Sequence, residues 1–481
     1  MKSASRKALA CVSRASFSSV KTLTLAGLIS VGLVGCANLS VQSLFSNYSA
    51  GMADSRSLAQ QGAFPDAIDA LPTGAGGEIL DEMERARLAL LSSDYPQMKE
   101  ALDMADLAVK EQTNQAVIQI SEGFNQVGAL ASNDNMLTYV PPSYELGFLH
   151  LYLVRHYLQK GDLQGALVEV RRAKQIQEDA IKLREKEQDL ARKSASENGI
   201  SDNVGAILSR YPESDNALGS VQNAYLFYIS ALLYEAEGNL NSAFIDYNRA
   251  LAVAPDNQYV AEAAMRIAAK QGRKSELKLL EKKYGKVSTP KKGSAKLVVL
   301  AEDGFVDARL GWRLPFWVTD SNGNLESFTV ALPYYAQSRG SQPQVISLDG
   351  KGEKLEGLAD VNAMARHALN EAMPGMVVRQ ILRVVAKNEF HKSASKNDES
   401  GLGSLITSMY NAVSEQPDTR SWQTLPARAS LFSEYLSAGE HKLQINGKTI
   451  KVNLTPDRTT LLWLSTASGE VVDWQGTLGG V

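Results

Sequence analysis

The chain shows two periods of hydrophobic residues, one after the other. From about residue 48 to residue 285, apolar positions recur every three to four residues, which is the spacing of amphipathic helices. After residue 288 the period becomes two, and short runs of aliphatic and aromatic residues are separated by Gly, Asn and Pro. This order predicts an α+β protein with a helical N-terminal half and a β-rich, sandwich-like C-terminal domain.

The helical half, predicted as residues 58–285, contains repeated helix pairs. The pattern resembles the tetratricopeptide repeat, in which small residues let two antiparallel helices approach closely, aromatic residues fill the groove between them, and glycine makes the turn. Ala173 and Ala250 hold matching positions 77 residues apart, so an insertion separates two copies of about 34 residues each. The matching residues are His150, Tyr157, Gly161, Ala166 and Ala173 in the first copy, and Phe227, Ala231, Tyr234, Gly238, Ala243, Tyr247, Ala250 and Pro255 in the second.

Weaker copies flank these two, near residues 62–71, 88–105 and 259–284. At least three stacked repeats are needed for a stable α-solenoid, so the degenerate copies complete a plausible array. Such arrays usually present a concave groove to a peptide or a protein. The helical half is therefore expected to be an interaction scaffold and not an enzyme.

The β-rich domain is predicted to span residues 296–481, after a polar linker at 286–295. Asn446-Gly447 lies between two alternating runs, which is a strong signal for a tight β-hairpin. A helical insert of about residues 359–413 interrupts the strands, with a new helix expected to begin at Pro374.

Two parts of this domain are candidate binding surfaces. Arg379 and Arg383 form a basic stripe at i,i+4 spacing beside an apolar helix face. The insert is interpreted either as a helical hairpin packed on the sheet or as an amphipathic pair that rests on a membrane or a partner. Asp418, Arg420 and Trp422 indicate either an ordered loop with an internal ion pair and a buried indole, or a binding surface.

The N-terminus resembles a bacterial lipoprotein signal. A basic segment precedes an apolar run that is too short to span a bilayer as a helix, and Leu33-Val34-Gly35-Cys36 is similar to a lipobox. We expect residues 1–35 to be removed, Cys36 to carry the lipid, and residues 36–57 to include a tether. Ala37, where Asp would favour the inner membrane, implies the outer membrane with the body facing the periplasm. The alternative is an ordinary secretory signal with a coincidental cysteine.

Composition excludes several classes of function. The formal net charge of −3 provides no strongly basic face for nucleic acid. Of the two cysteines, Cys11 lies in the predicted signal, so no disulfide is expected in the processed chain. The five histidines are scattered, and we find no nucleophile motif or phosphate loop. We expect no metal and no cofactor.

Segments 300–306, 330–335 and 418–426 resemble an uncharacterised family of proteobacterial outer-membrane lipoproteins with tetratricopeptide repeats. The resemblance covers nearly all of the chain after the signal. Members of that family are often encoded near a small lipoprotein similar to activators of penicillin-binding proteins, which implies a role in the cell envelope. The family carries no assigned catalytic residues.

Three functions follow as hypotheses. The leading one is an adaptor that recruits periplasmic or envelope proteins, for example in envelope or peptidoglycan assembly. The alternative is a structural subunit of an envelope-spanning secretion, polysaccharide or flagellar assembly. The third is an envelope hydrolase whose chemistry lies in the β-rich domain.

Overall fold

The structure is a computed structural model that describes residues 47–125, 134, 137–211, 222–286, 290–319, 325–336, 344–395 and 416–480. The predicted signal peptide, Cys36 and the first part of the predicted tether lie outside the described residues. The last part of the predicted helical insert, residues 396–413, lies outside them as well. Asn47–Val481 forms one compact unit.

The N-terminal half is helical, as its period predicted. Its helices are α1 (Tyr48–Gly51), α2 (Ala53–Gln60), α3 (Phe64–Asp69), α4 (Glu78–Leu91), α5 (Tyr95–Asn125), α6 (Ser143–Gln159), α7 (Leu163–Glu197), α8 (Ser201–Leu208), α9 (Ala224–Glu237), α10 (Leu240–Val253), α11 (Gln258–Lys270) and α12 (Lys274–Tyr284). Short turns join α2 to α3, α4 to α5, α6 to α7, α9 to α10, and α11 to α12, so these helices pack as hairpins. Among the described residues, no helix is both long and apolar enough to cross a bilayer.

Local sequence explains the turns of the two clearest hairpins. Gly161 and Gly238 have φ of +72° and +89°, a left-handed conformation that glycine adopts without strain. The next residue caps the second helix in both cases: Asp162 accepts from the Gly165 amide at 2.8 Å, and Asn239 accepts from the Ser242 amide at 3.1 Å. A Gly-Asp or Gly-Asn pair therefore ends one helix and starts the next.

The C-terminal half is β-rich, as predicted. Its strands are β1 (Ser294–Asp303), β2 (Leu310–Thr319), β3 (Leu325–Tyr334), β4 (Val345–Leu348), β5 (Lys351–Lys354), β6 (Glu356–Asp360), β7 (Arg428–Ser437), β8 (Gly439–Ile445), β9 (Lys448–Leu454), β10 (Arg458–Thr466) and β11 (Val472–Gly480), and one long helix, α13 (Val361–Ser395), follows β6. Asn446-Gly447 forms the predicted turn between β8 and β9, with φ of 47° and 80°. The α+β class is therefore confirmed.

The strands form three sheets. A five-stranded sheet has the order β11-β10-β1-β7-β6, a four-stranded sheet has the order β5-β4-β8-β9, and β2 pairs with β3. In the five-stranded sheet β1 runs parallel to β10, while its pairing with β7 is antiparallel. A parallel pair requires a long crossover, and here nearly the whole C-terminal half separates β1 from β10.

Alternation along β1 places the five-stranded sheet between two layers. Ala295, Leu297 and Val299 pack with residues of the four-stranded sheet, while Val298 and Leu300 pack in the larger core with the helices. One face of the sheet thus makes the expected contact between two sheets. The other face is covered by the helical half, so the two halves share one core and are not separate bodies.

Two stretches differ from expectation. Residues 48–57, expected to belong to the tether, are helical, with Tyr48 and Met52 buried in the main core. The insert is one continuous helix through Pro374, not two helices that meet there. Buried residues on both sides of the proline, including Leu369, Met373 and Val377, hold the chain helical despite the missing amide.

Candidate functional site

The first helices of successive hairpins all turn toward the C-terminal half. Arg56 on α2 donates to the Gln423 carbonyl at 2.8 Å, and Glu145 on α6 accepts from the Trp422 amide at 2.9 Å. Tyr225 on α9 donates to Glu302 on β1 at 3.0 Å. The inner face of the helix pairs is therefore covered by the chain itself.

Residues 416–427, which we call the crossing segment, lie at the centre of this contact. The segment is neither helix nor strand, and almost all of its residues are buried. Thr419, Ser421, Trp422, Gln423 and Thr424 are 0% exposed. A backbone buried outside regular structure needs other hydrogen-bond partners.

Two buried carboxylates supply acceptors to the crossing segment. Glu84 accepts from the amides of Gln423 at 2.6 Å and Thr424 at 3.0 Å, and from the Thr424 hydroxyl at 2.5 Å. Glu145 accepts from the Tyr139 hydroxyl at 2.5 Å besides the Trp422 amide. Burial raises the pKa of Glu84 to about 7 and also raises the pKa of Glu145. These carboxylates accept hydrogen bonds from the segment's amides, as the carbonyls of a neighbouring strand do in a sheet.

Arginines form hydrogen bonds with backbone carbonyls in both directions across this contact. Arg87 donates to the Thr424 carbonyl at 3.3 Å and forms a 2.8 Å ion pair with Glu302. Arg420 donates from the segment to the backbone carbonyls of Leu137 and Asp134, at 2.8 and 2.9 Å. The crossing segment is thus held through its backbone as well as its side chains.

The predicted surface at Asp418, Arg420 and Trp422 is not an open surface. Arg420 and Asp418 form an ion pair of 2.8 Å, and both residues are buried. The Trp422 indole is fully buried and donates to the Thr424 hydroxyl at 3.1 Å. The ordered loop with an internal ion pair and a buried indole describes these residues, because the helices close over them.

The basic stripe on α13 is also internal. Arg383 pairs with Asp134 at 2.5 Å, and Arg379 pairs with Glu187 on α7 at 2.8 Å. Arg383 is 2% exposed. The expectation that Arg379 and Arg383 present a binding stripe is therefore corrected: carboxylates from elsewhere in the chain neutralise it and attach α13 to the helical half.

A cavity of about 550 Å³ lies beside the crossing segment. Its walls come from α5, α7, α13 and residues 137–143, with Asp418 and Arg420 in the lining. Arg184 and Arg379 both pair with Glu187 at its wall. Apolar residues such as Leu146 and Met376 share the wall with Arg309, whose Nε donates to the Tyr335 hydroxyl at 3.2 Å, so the cavity is lined by both apolar and charged groups.

The repeat-signature residues lie at the interfaces of the hairpins. Ala166, Ala173, Ala231, Ala243, Tyr247 and Ala250 are 0% exposed, Tyr157, Phe227 and Tyr234 are partly buried, and Pro255 lies after α10. His150 is fully buried, and its Nδ1 lies 2.7 Å from Glu169 on α7. His150 therefore packs at its repeat position and also makes a polar contact with the second helix of its hairpin.

Sequence reasoning missed Glu84, Arg87, Glu145 and Glu302. Two local signals could have identified half of them: Glu145 is a lone acid at the start of an apolar helix, and Glu302 is an acid at the end of an apolar strand. Glu84 and Arg87 lie among other charged residues of α4, so no local pattern distinguished them. Within the described residues, no cluster of three or more His, Cys, Asp or Glu side chains is placed to hold a metal ion.

No family model and no curated protein matches this chain.

Proposed function

We propose that the chain is a lipoprotein, anchored in the outer membrane through Cys36, whose body is a periplasmic scaffold for other envelope proteins. The observation that carries the anchor is the agreement of three signals: a basic segment, a short apolar run, and Leu33-Val34-Gly35-Cys36. Two or more acyl chains anchor a protein far more stably than one. Ala37 favours the outer membrane.

The proposal includes the assignment of the hairpins as tetratricopeptide-like repeats. The burial of Ala166, Ala173, Ala243 and Ala250 between paired helices supports it, since only small residues permit that close approach. The two Gly-Asp and Gly-Asn turns support it as well. An array of this type is a rigid surface for protein contacts.

The partner site of this scaffold is proposed on the second helices of the hairpins. The first helices are covered by the crossing segment and the five-stranded sheet, so the usual inner groove is filled. Most of the large exposed apolar side chains among the described residues lie on second helices, among them Leu107 on α5, Val168 on α7, Ile245 on α10 and Leu279 on α12, whereas Trp317 on β2 and Val345 on β4 are exposed elsewhere. Single exposed apolar residues are common, but their shared position on the outer helices favours this face.

The anchor is tested by replacing Cys36 with Ser in the full chain. Wild type is expected to take up labelled fatty acid and to sediment with outer membranes, because the thiol carries the lipid. The variant is expected to lose the label and appear in the periplasmic fraction. Wild type without label, or a variant that still sediments, contradicts the anchor.

The scaffold is tested with a photo-crosslinking residue placed at Leu107 or Leu279, and at Lys451 on β9 as the matched exposed control. The outer-helix positions should each capture the same envelope protein, while position 451 should not. Capture of nothing in repeated experiments contradicts the adaptor. Copurification of a large particle of fixed stoichiometry would replace it with a structural subunit.

A further inference from the structure

A second concave site shares no lining residue with the cavity beside the crossing segment. A cleft of about 760 Å³ is bounded by the start of α5, the end of α6 and β11. We call it the α5–α6 cleft. Tyr95, Met104 and Trp474 contribute aromatic and apolar surface to its lining, and His156 and Gln159 contribute polar groups. Four charged residues, Lys99, Glu100, Asp103 and Lys160, complete the lining together with Pro96.

Three side-chain atoms of the cleft have no hydrogen-bond partner among the described residues. Both side-chain atoms of Gln159, Nε2 and Oε1, are buried and make no hydrogen bond, and the same holds for Nδ1 of His156. Buried polar atoms of native proteins are nearly always hydrogen-bonded to protein or water. Three such atoms on two neighbouring residues of one cleft leave hydrogen-bonding capacity that water or a ligand can fill.

A buried charge lies directly behind them. Arg155 precedes Gln159 by one helical turn, so the two share a face of α6. Arg155 is 0% exposed, and none of its three guanidinium nitrogens hydrogen-bonds to a described residue. The guanidinium lies 5.4 Å from the centre of the Trp463 ring. Burial of an arginine without a hydrogen-bonded partner is costly.

The nearby carboxylate does not neutralise this charge fully. Glu302 forms its ion pair with Arg87 at 2.8 Å and accepts from Tyr225 and Trp463 at 3.0 Å each. Two buried guanidinium groups thus face one carboxylate. At the mouth of the cleft, Lys99 pairs with Asp103, and Lys160 and Glu100 complete a balanced rim. The uncompensated charge is that of Arg155.

We propose that the α5–α6 cleft binds a small organic oxyanion, a carboxylate or phosphate group attached to a ring-sized body. The body lies against Tyr95 and Trp474. The anionic group approaches His156 and Gln159. The Gln159 amide is covered in the free protein, so its side chain turns toward the cleft on binding and Nε2 then donates to the anion, while the field of Arg155 attracts it through the low-dielectric wall. The aromatic walls alone would bind a neutral ring equally well, so the preference for an anion is the distinguishing property.

The test measures binding of benzoate, phenyl phosphate and neutral benzamide to the full chain in detergent by ligand-observed NMR. We expect at least one anion to bind at least tenfold more tightly than benzamide. The better of the two identifies the carboxylate or the phosphate class. Gln159→Leu should weaken that binding at least fivefold, since the leucine cannot donate, and Arg155→Met should do the same.

Two controls keep the outcome decisive. Arg249→Met removes a guanidinium from α10, outside the cleft, and should leave binding unchanged. If Arg155→Met does not fold, Gln159→Leu alone decides, since its amide makes no hydrogen bond whose loss would unfold the chain. Equal affinity for benzamide and both anions, no binding by wild type, or full binding by Gln159→Leu overturns the proposal.

Discussion

The crossing segment and the α5–α6 cleft both border α6, yet they differ in how their charged groups are bonded. Around the crossing segment, the carboxylates of Glu84 and Glu145 and the guanidinium of Arg87 all have close partners. At the cleft, Gln159 and Arg155 have no hydrogen-bond partner among the described residues. Ser421 Oγ and Gln423 Oε1 of the segment also lack a partner, so the contrast lies in the charged groups. Buried charges that are paired stabilise a fold, whereas a buried charge without a hydrogen bond costs stability. The difference separates polar groups that hold the fold together from polar groups that are available to a ligand.

The largest effect is expected at Glu84. Glu84→Ala removes the acceptor for two amides and one hydroxyl of the crossing segment, and all three donors stay buried. The free energy of unfolding should fall by about 5 kcal/mol, because each unsatisfied donor costs roughly 1–3 kcal/mol. Denaturant unfolding checks this. Glu111→Ala on the exposed side of α5 is the control and should change stability by less than about 0.5 kcal/mol; similar losses in both variants would contradict the network.

Replacement of Arg87 should lower stability much more than replacement of Arg155. Arg87→Met leaves Glu302 and the Thr424 carbonyl without their partner, so the free energy of unfolding should fall by about 4 kcal/mol. Denaturant unfolding of the full chain measures it. A loss under about 1 kcal/mol would show that Glu302 finds another partner.

The pH dependence of stability should show the contribution of Glu84 protonation. Its pKa is about 7 in the folded chain and near 4.5 when the chain unfolds, so the folded state holds the proton more tightly. Stability from this group is therefore complete below pH 4.5 and is lost as pH rises toward 7, by about 3 kcal/mol in total. Unfolding of wild type and Glu84→Gln across this range measures the effect. The variant should lack this part of the slope; parallel curves would contradict it.

The smallest effect is expected at Arg155. Arg155→Met removes a buried charge without a hydrogen-bonded partner, and its gain is offset by the lost contact with Trp463. Stability without ligand should change by less than about 1 kcal/mol in either direction. Denaturant unfolding beside Arg87→Met provides the comparison. A loss as large as that of Arg87→Met would make Arg155 structural and remove the contrast between the two regions.

The sequence predicted those features that depend on neighbours in the chain. The Gly238-Asn239 turn between α9 and α10 follows from a left-handed glycine and an N-cap, and the β8–β9 hairpin follows from Asn446-Gly447. Alanine spacing likewise indicated which residues the hairpins bury. These signals are local, so one sequence suffices to read them.

The candidate site could not be predicted in the same way, because its partners are distant in sequence. Glu84 bonds to residues about 340 positions later, at Thr424. Arg383 looks like part of a solvated stripe until Asp134, 249 residues away, is placed beside it. The crossing segment is polar in composition, and nothing local shows that helices bury it. Pairing of charges across the fold changed the interpretation of Arg379 and Arg383, whereas Arg420 forms the local pair with Asp418 that was one of the two sequence hypotheses.

Hydrogen exchange of the full chain, followed by mass spectrometry, tests the central claim most directly, namely that the chain itself fills the inner face of its helix pairs. The amides of Trp422, Gln423 and Thr424 are bonded to buried carboxylates. They should exchange as slowly as those of β1, through global unfolding alone. Exchange of these amides within seconds, while β1 stays protected, would contradict the account and leave the inner face open to a partner.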